Sequence, residues 1–164
     1  MDDTVADVLV VGAGAAGLMA ARFAAGAGAR TVLLERTADG GRKILISGGG
    51  RCNVLPGTFR PERFVTDSSP HTLRRVLRSW PLAEQRRYFE EELALPLVHQ
   101  ADGDKLFPAS NRARDVRDAL VEAARAAGAA IHFGRTVVAI HPPGPHSTPG
   151  WRVETEEGVD YRTR

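Results

Sequence analysis

Gly12, Gly14 and Gly17 stand at G-x-G-x-x-G spacing directly after an apolar run, Val8-Leu9-Val10-Val11, and Glu35 follows 18 positions after Gly17. Dinucleotide binding gives each of them a task. Gly12 permits a tight strand-to-helix turn, Gly14 lets backbone amides approach a pyrophosphate with no Cβ between, and Gly17 lets the helix pack closely on the strands. A helix opening at Ala15 and Ala16 offers unpaired N–H groups and a partial positive charge to phosphates. A carboxylate about 20 residues further on accepts hydrogen bonds from a ribose. That is the role expected of Glu35, with Arg36 beside it; the same carboxylate would repel a 2′-phosphate, which disfavours NADP. The glycines alone would be weak grounds, because alanines crowd the same region (Ala13, Ala15, Ala16, Ala20, Ala21, Ala24, Ala25). The order of strand, glycines, helix, second apolar run Val32-Leu33-Leu34 and acid is what carries the reading.

A second cluster lies downstream. Arg42 and Lys43 precede Ile44-Leu45-Ile46, and Ser47-Gly48-Gly49-Gly50 runs into Arg51-Cys52-Asn53. Three glycines after a serine hydroxyl suit a loop laid against a flat or anionic ligand, and Arg42 and Lys43 add charge for phosphate. A flexible linker seldom combines an apolar core with cations on both sides. Two such clusters point to a long ligand contacted at both halves, which FAD fits better than NAD.

Other reactive side chains form no constellation. His71, His99, His132, His141 and His146 are scattered, with no zinc spacing and no nucleophile elbow, so no catalytic residue and no metal site is assigned. The single cysteine, Cys52, excludes an intramolecular disulfide and cannot form a redox dithiol by itself. Arg51 beside it would lower its pKa if it lay near a flavin; a small residue packed under the glycine loop is the preferred expectation.

These residues need elements to hold them. With 164 residues, 43% hydrophobic and 26% charged, the chain suits one globular domain. Residues 6–11 are expected as a buried strand. Residues 15–27 read as a helix with Leu18, Met19, Ala21, Ala25 and Phe23 as inward candidates, and Thr31–Glu35 as the second strand. Ser69-Pro70 opens a helix carrying Leu73, Val76, Leu77 and Trp80, and a second short helix runs from about Leu82 to Leu93. Leu97–Gln100 and Lys105–Phe107 flank a hairpin turn. Ser110 or Asn111 caps a helix to Ala127 with Val116, Leu120, Val121 and Ala124 inward. Ile131–Phe133 is a strand, and Thr136–Ile140, Trp151–Thr155 and Val159–Thr163 form a meander across a Pro/Gly-rich loop, 142–150. The result is an α/β, Rossmann-like sheet with a helical and hairpin insertion at 60–108 and a β-meander at 135–164. It ends without a closing helix, so the front of a longer protein is preferred to a complete small domain, with Val159–Thr163 left as an open edge.

Net charge is +2, and Lys43 and Lys105 are the only lysines among 22 basic residues. Arg74, Arg75, Arg78, Arg86 and Arg87 cluster, but Glu84, Glu90, Glu91 and Glu92 offset them. A solvated surface is therefore preferred to a nucleic-acid partner. No run approaches the ~20 apolar residues of a membrane span. Met1-Asp2-Asp3 is acidic where a signal peptide is basic, so a cytoplasmic location is expected.

The segments Val10–Ala21 and Gly41–Asn53, together with Lys105-Leu106-Phe107-Pro108-Ala109-Ser110 and the helix from Ala113 to Gly128, resemble the BaiN-like NAD(P)/FAD-dependent oxidoreductases, also described as aminoacetone-oxidase-type flavoproteins. The resemblance implies a glutathione-reductase-type FAD-binding domain. Gly12, Gly14 and Gly17 would then bind the FAD pyrophosphate and Glu35 the adenosine ribose. Arg42 and Lys43 would lie near the AMP side, while Ser47, Gly48, Gly49, Gly50 and Asn53 approach the ribityl chain and flavin. Val137 or Val138 would present backbone atoms to adenine. The activity implied is hydride transfer to or from flavin N5 on a small-molecule substrate, with O2 or NAD(P)H as partner. Relatives of this kind are longer, and their substrate domain and later flavin-binding segments are not in these residues. An NAD-dependent dehydrogenase using only the first motif, or a non-catalytic dinucleotide-binding module, stays open at this point.

Overall fold

The computed structural model describes residues 4–100, 103–144 and 150–163; Ala101 and Asp102 of the hairpin turn, His146 and the 145–149 part of the Pro/Gly-rich loop lie outside them. Two compact units are present, Met1–Ile44 with Leu120–Arg164, and Leu45–Ala119. In chain order the elements begin with β1 (Thr4–Ala6), β2 (Val8–Val11), α1 (Ala15–Gly26), β3 (Thr31–Glu35) and α2 (Arg42–Ile46). Then come β4 (Leu55–Pro56), α3 (Pro70–Ser79), α4 (Leu82–Arg87), β5 (Leu97–His99), β6 (Lys105–Pro108) and α5 (Ala113–Ala126). The last are β7 (Ala130–Phe133), β8 (Val137–His141), β9 (Arg152–Thr155) and β10 (Asp160–Thr163).

In the first unit, β2, β3 and β7 form a parallel sheet in the order β2-β3-β7, with Val8 opposite Thr31 and Leu34 opposite His132. β3 is the central strand and its apolar residues are buried; β2 is half-buried, and Val11 at its end is 50% exposed. The expected single strand over 6–11 is in fact two. Asp7 interrupts it: Asp7 N and Val8 N both donate to the Arg30 carbonyl, and the Asp7 carboxylate accepts from Arg30 N at 2.9 Å and pairs with its guanidinium at 2.8 Å. The chain thereby leaves one sheet and enters another.

The sheet it leaves has the order β1-β10-β9-β8. β8, β9 and β10 form the expected antiparallel meander, and β10 also pairs in parallel with β1. The open edge expected at Val159–Thr163 is therefore absent, because β1 covers it. Ala6, Val32, Leu34, Val153 and Tyr161, with Leu9, Val137 and Val159 packed against them, form a core shared by the two sheets. His132 on β7 and Tyr161 on β10 are linked across it, Nδ1 to hydroxyl, at 2.9 Å. α1 packs on β2 and β3 through Leu18, Ala21 and Ala25, while Phe23, an inward candidate from the sequence, is 48% exposed.

In the second unit, β4, β6 and β5 make a small antiparallel sheet in that order. The glycine-rich segment leading into this unit is not loop throughout: α2 forms first, and a 3-10 turn, Ser47–Gly50, follows. Ser69 caps α3 by accepting from His71 N, but Val76 is largely exposed and Leu73 and Leu77 are only half-buried. α4 continues through a wider π turn, Tyr88–Glu92, that buries Tyr88 and Phe89. α5 starts two residues beyond Asn111, with Ser110 Oγ accepting from Arg112 N at 3.4 Å, so neither expected cap stands directly before the helix. Its inward residues, Val116 in the second unit and Leu120, Val121 and Ala124 in the first, are buried as the spacing predicts.

Candidate functional site

The first glycine turn is built by three backbone requirements. Gly12 N donates to the Leu34 carbonyl at 2.7 Å, closing the β2–β3 pairing, and the chain turns there with φ +97°. That left-handed angle suits glycine. α1 then opens with Gly14 as its cap residue, with no side-chain cap and no acidic residue in its first turn. A Cβ on Gly14 would meet nothing within 4 Å, and Ala15 and Ala16 are exposed. A Cβ on Gly17, by contrast, would overlap the Gly12 carbonyl oxygen and sit 3.4 Å from Val10 Cγ1. Gly17 closes the helix onto the strand; Gly14 leaves the mouth of the helix open.

Glu35, at the end of β3, ties this turn down. Its Oε2 accepts from Ala13 N at 2.7 Å, and its Oε1 accepts from Thr37 N at 2.8 Å and from the Thr37 hydroxyl at 2.7 Å. Thr37 Oγ1 in turn accepts from Gly40 N, and the Ala13 carbonyl accepts from Gly41 N. Burial pushes the Glu35 carboxyl up, but the Thr37 and Ala13 donors and the nearby Arg36 charge outweigh it and hold the pKa below its usual value. A carboxylate offers about four acceptor positions; the protein takes three, which leaves one for a hydroxyl donor.

A hollow of about 260 Å³ lies beside Glu35, lined by Val11, Gly12, Leu34, Glu35, Arg36, Arg135, Thr136 and Val137. Arg135 N donates to the Glu35 carbonyl at 2.8 Å, and Arg135 Nε is buried with no hydrogen-bond partner among the described residues. Thr136 N donates to the Glu157 carboxylate, fixing the start of β8. Val138 is 60% exposed and is not on this wall. The structure thus brings Gly12, Gly14, Ala15, Ala16, Gly17, Glu35, Arg36 and Val137 together in the first unit, where Arg42 and Lys43 are exposed at the start of α2. Thr37, Arg135 and Thr136 were not singled out by sequence. Thr37 had a local signal, a hydroxyl two residues after the acid; the two others depend on tertiary placement.

Ser47, the three glycines and Asn53 gather in the second unit. Gly48, Gly49 and Gly50 have φ of +56°, +68° and +86°. Gly49 has open space where a Cβ would stand, and Asn53 is exposed. Cys52 is buried, its N–H donates to the Ser47 carbonyl, and burial pushes its thiol pKa up against a smaller opposing effect from Ser47. A raised, buried thiol packs rather than reacts. Among the described residues, no group of three or more His, Cys, Asp or Glu could hold a metal.

The family described as HI0933-like protein Rossmann domain matches residues 6–157. The chain belongs to that family. Its fold is the Rossmann-type FAD-binding fold. Among curated relatives, the ribosomal RNA dihydrouridine synthase of Escherichia coli is 39% identical over 71 residues, covering 43% of this chain and 18% of the relative. The 3-dehydro-bile acid delta(4,6)-reductase of Clostridium scindens is 29% identical over 133 residues, covering 80% of this chain and 32% of the relative. The chain thus spans less than a third of either relative. Among solved structures, a 3-ketosteroid-delta4-(5alpha)-dehydrogenase from Rhodococcus jostii RHA1 superposes with TM-score 0.65 at 17% identity, covering 99% of this chain and 44% of that one. Among the described residues no helix is long and apolar enough to cross a membrane.

Proposed function

We propose that these 164 residues are the FAD-binding portion of an oxidoreductase that acts on a small-molecule substrate, with O2 or NAD(P)H completing the cycle. The observation that carries this reading is the division of labour in the first turn: Gly17 seals helix to strand while Gly14 leaves the uncapped start of α1 open. Backbone N–H groups at that open start hold pyrophosphate oxygens. The remaining acceptor position of Glu35 takes a ribose hydroxyl, and the hollow bounded by Arg36, Arg135 and Val137 takes the adenine. The Gly48–Gly50 turn, with Ser47 and Asn53, serves the flavin half, which favours FAD over NAD. Bound FAD supplies hydride exchange at N5, and the protein supplies binding and orientation. Both curated relatives carry names of redox enzymes, which supports the same class of chemistry here. The test is to purify the full-length protein, release its cofactor by heat and identify it by chromatography. FAD is expected; NAD alone would overturn the assignment.

A second reading of the substrate has one observation in its favour. The E. coli relative is named for ribosomal RNA. α3 has no carboxylate and carries His71, Arg74, Arg75 and Arg78 along a hollow of about 410 Å³. On α4, by contrast, Arg86 and Arg87 are paired with Glu90 and Glu84. Retention of the protein on ribosomal RNA, lost when the α3 arginines become alanine, would favour an RNA substrate over a small molecule.

A further inference from the structure

The three-glycine turn is braced by one arginine. Gly48, Gly49 and Gly50 are all left-handed, and Cys52 follows at φ +65°. Glycine reaches such angles without strain but loses the most freedom in holding them. Arg51 supplies restraint through three contacts. Its Nε donates to the Gly48 carbonyl at 3.1 Å. Its guanidinium carbon lies 4.8 Å from the Phe107 ring centroid, within cation–π reach. The Gln100 amide, turned so that its oxygen faces the guanidinium, accepts from Nη1 at 2.6 Å and from Nη2 at 3.1 Å. Phe107 also covers the turn itself, since a Cβ on Gly48 would lie 2.7 Å from Phe107 Cε1. Phe107 is on β6 and Gln100 directly follows β5, two paired strands of the second unit. The turn is therefore fastened to a hydrogen-bonded sheet and not left to its own torsional preferences.

We infer that Arg51 is a positioning residue for the cofactor. By bridging Gly48, Phe107 and Gln100 it holds the Gly48–Gly50 amides in one conformation before any ligand arrives. The inference rests on the reading that this turn touches FAD.

The test uses the full-length protein with Arg51→Ala, Arg51→Lys and the milder Gln100→Leu. Hydrogen exchange at the Gly48–Gly50 amides is followed without FAD, and FAD affinity and the flavin absorption spectrum are measured by titration. Arg51→Ala is expected to speed exchange at the turn and weaken FAD binding by about tenfold or more, the loss expected for a charge-assisted hydrogen bond, with a shifted flavin spectrum. Arg51→Lys keeps the charge without the planar fork and does not restore these values. Gln100→Leu moves the same readouts less and serves if Arg51→Ala fails to fold. A lowered melting temperature with unchanged exchange at the turn, affinity and spectrum would overturn the inference. Gly49→Val separates the two levels. Normal FAD binding by Gly49→Val means that the turn is not a cofactor contact, and the role of Arg51 falls with it. Loss of FAD by Gly49→Val beside wild-type exchange and affinity in Arg51→Ala means that only the role of Arg51 has failed.

Discussion

Glu35 anchors the glycine turn through Ala13 N, and under the proposed function its remaining acceptor position takes a ribose hydroxyl. Glu35→Ala removes both. FAD affinity should fall roughly 10- to 150-fold, the loss of about 1.5–3 kcal/mol expected for a charged hydrogen bond, and unchanged affinity in a fluorescence titration would contradict the assignment. The pH dependence follows from the lowered pKa. A depressed carboxyl contributes stability that is present above its unfolded pKa and is lost as pH falls through the folded one. Acid melts of the wild type should therefore show a loss below the ordinary glutamate range that Glu35→Gln no longer shows. The two glycines flanking the turn's mouth give a contrasting pair. Gly17→Ala places a methyl against the fixed Gly12 carbonyl and should cost about 1–3 kcal/mol of stability, as overpacking does. Gly14→Ala meets open space and should change stability by less than about 1 kcal/mol while weakening FAD. Thermal melts beside FAD titrations distinguish them, and equal behaviour of the two variants would refute the separate roles. Gly12 and Gly17 were legible in the sequence because the demands on them, a left-handed turn and a helix lying close against its strand, fall within one short motif. Arg135 and Thr136 were not, because only the folded β7–β8 connection brings them beside Glu35.

At the scale of elements, the join between the parallel sheet and the meander is the feature with the clearest consequence. Tyr161 is 2% exposed and its hydroxyl meets His132 Nδ1. Tyr161→Phe should cost about 1 kcal/mol, the usual net worth of a hydrogen bond. Burial, and secondarily the charge of Arg135, lowers the pKa of His132 from 6.5. The unfolded chain then binds its proton first, so stability is full above that value and declines as pH falls through the lowered one. Melts across this window in His132→Phe should lose that acid-sensitive step, and an unchanged pH profile would show that the join does not titrate. The helices α1 and α5 and the strand β3 were readable from apolar spacing alone. The division of the first strand was not, since it depends on Asp7 meeting Arg30, 23 positions away. Nor was the β1–β10 pairing, which joins residues at opposite ends of the chain and leaves no trace in either segment's periodicity.

For the whole molecule, the family and the fold agree with the expected Rossmann-like class, while the chain covers less than a third of the two curated relatives compared above. On the proposal that these residues are the FAD-binding portion of a longer oxidoreductase, the 164 residues alone should hold FAD weakly and turn over little. A catalytic site lacking part of its walls does not hold reacting atoms in place, a loss that can reach about 7–11 kcal/mol. Gel filtration with FAD followed by a visible spectrum checks this, and a stoichiometric yellow complex with ordinary turnover would contradict it. The central claim is that the first glycine turn and Glu35 hold the adenosine and pyrophosphate half of FAD. Its most direct measurement is a competition experiment: the apo protein is loaded with FAD, ADP or FMN is added, and the FAD that stays bound after gel filtration is quantified by chromatography. Displacement by ADP at concentrations where FMN has no effect is the predicted result; displacement by FMN with none by ADP would contradict it.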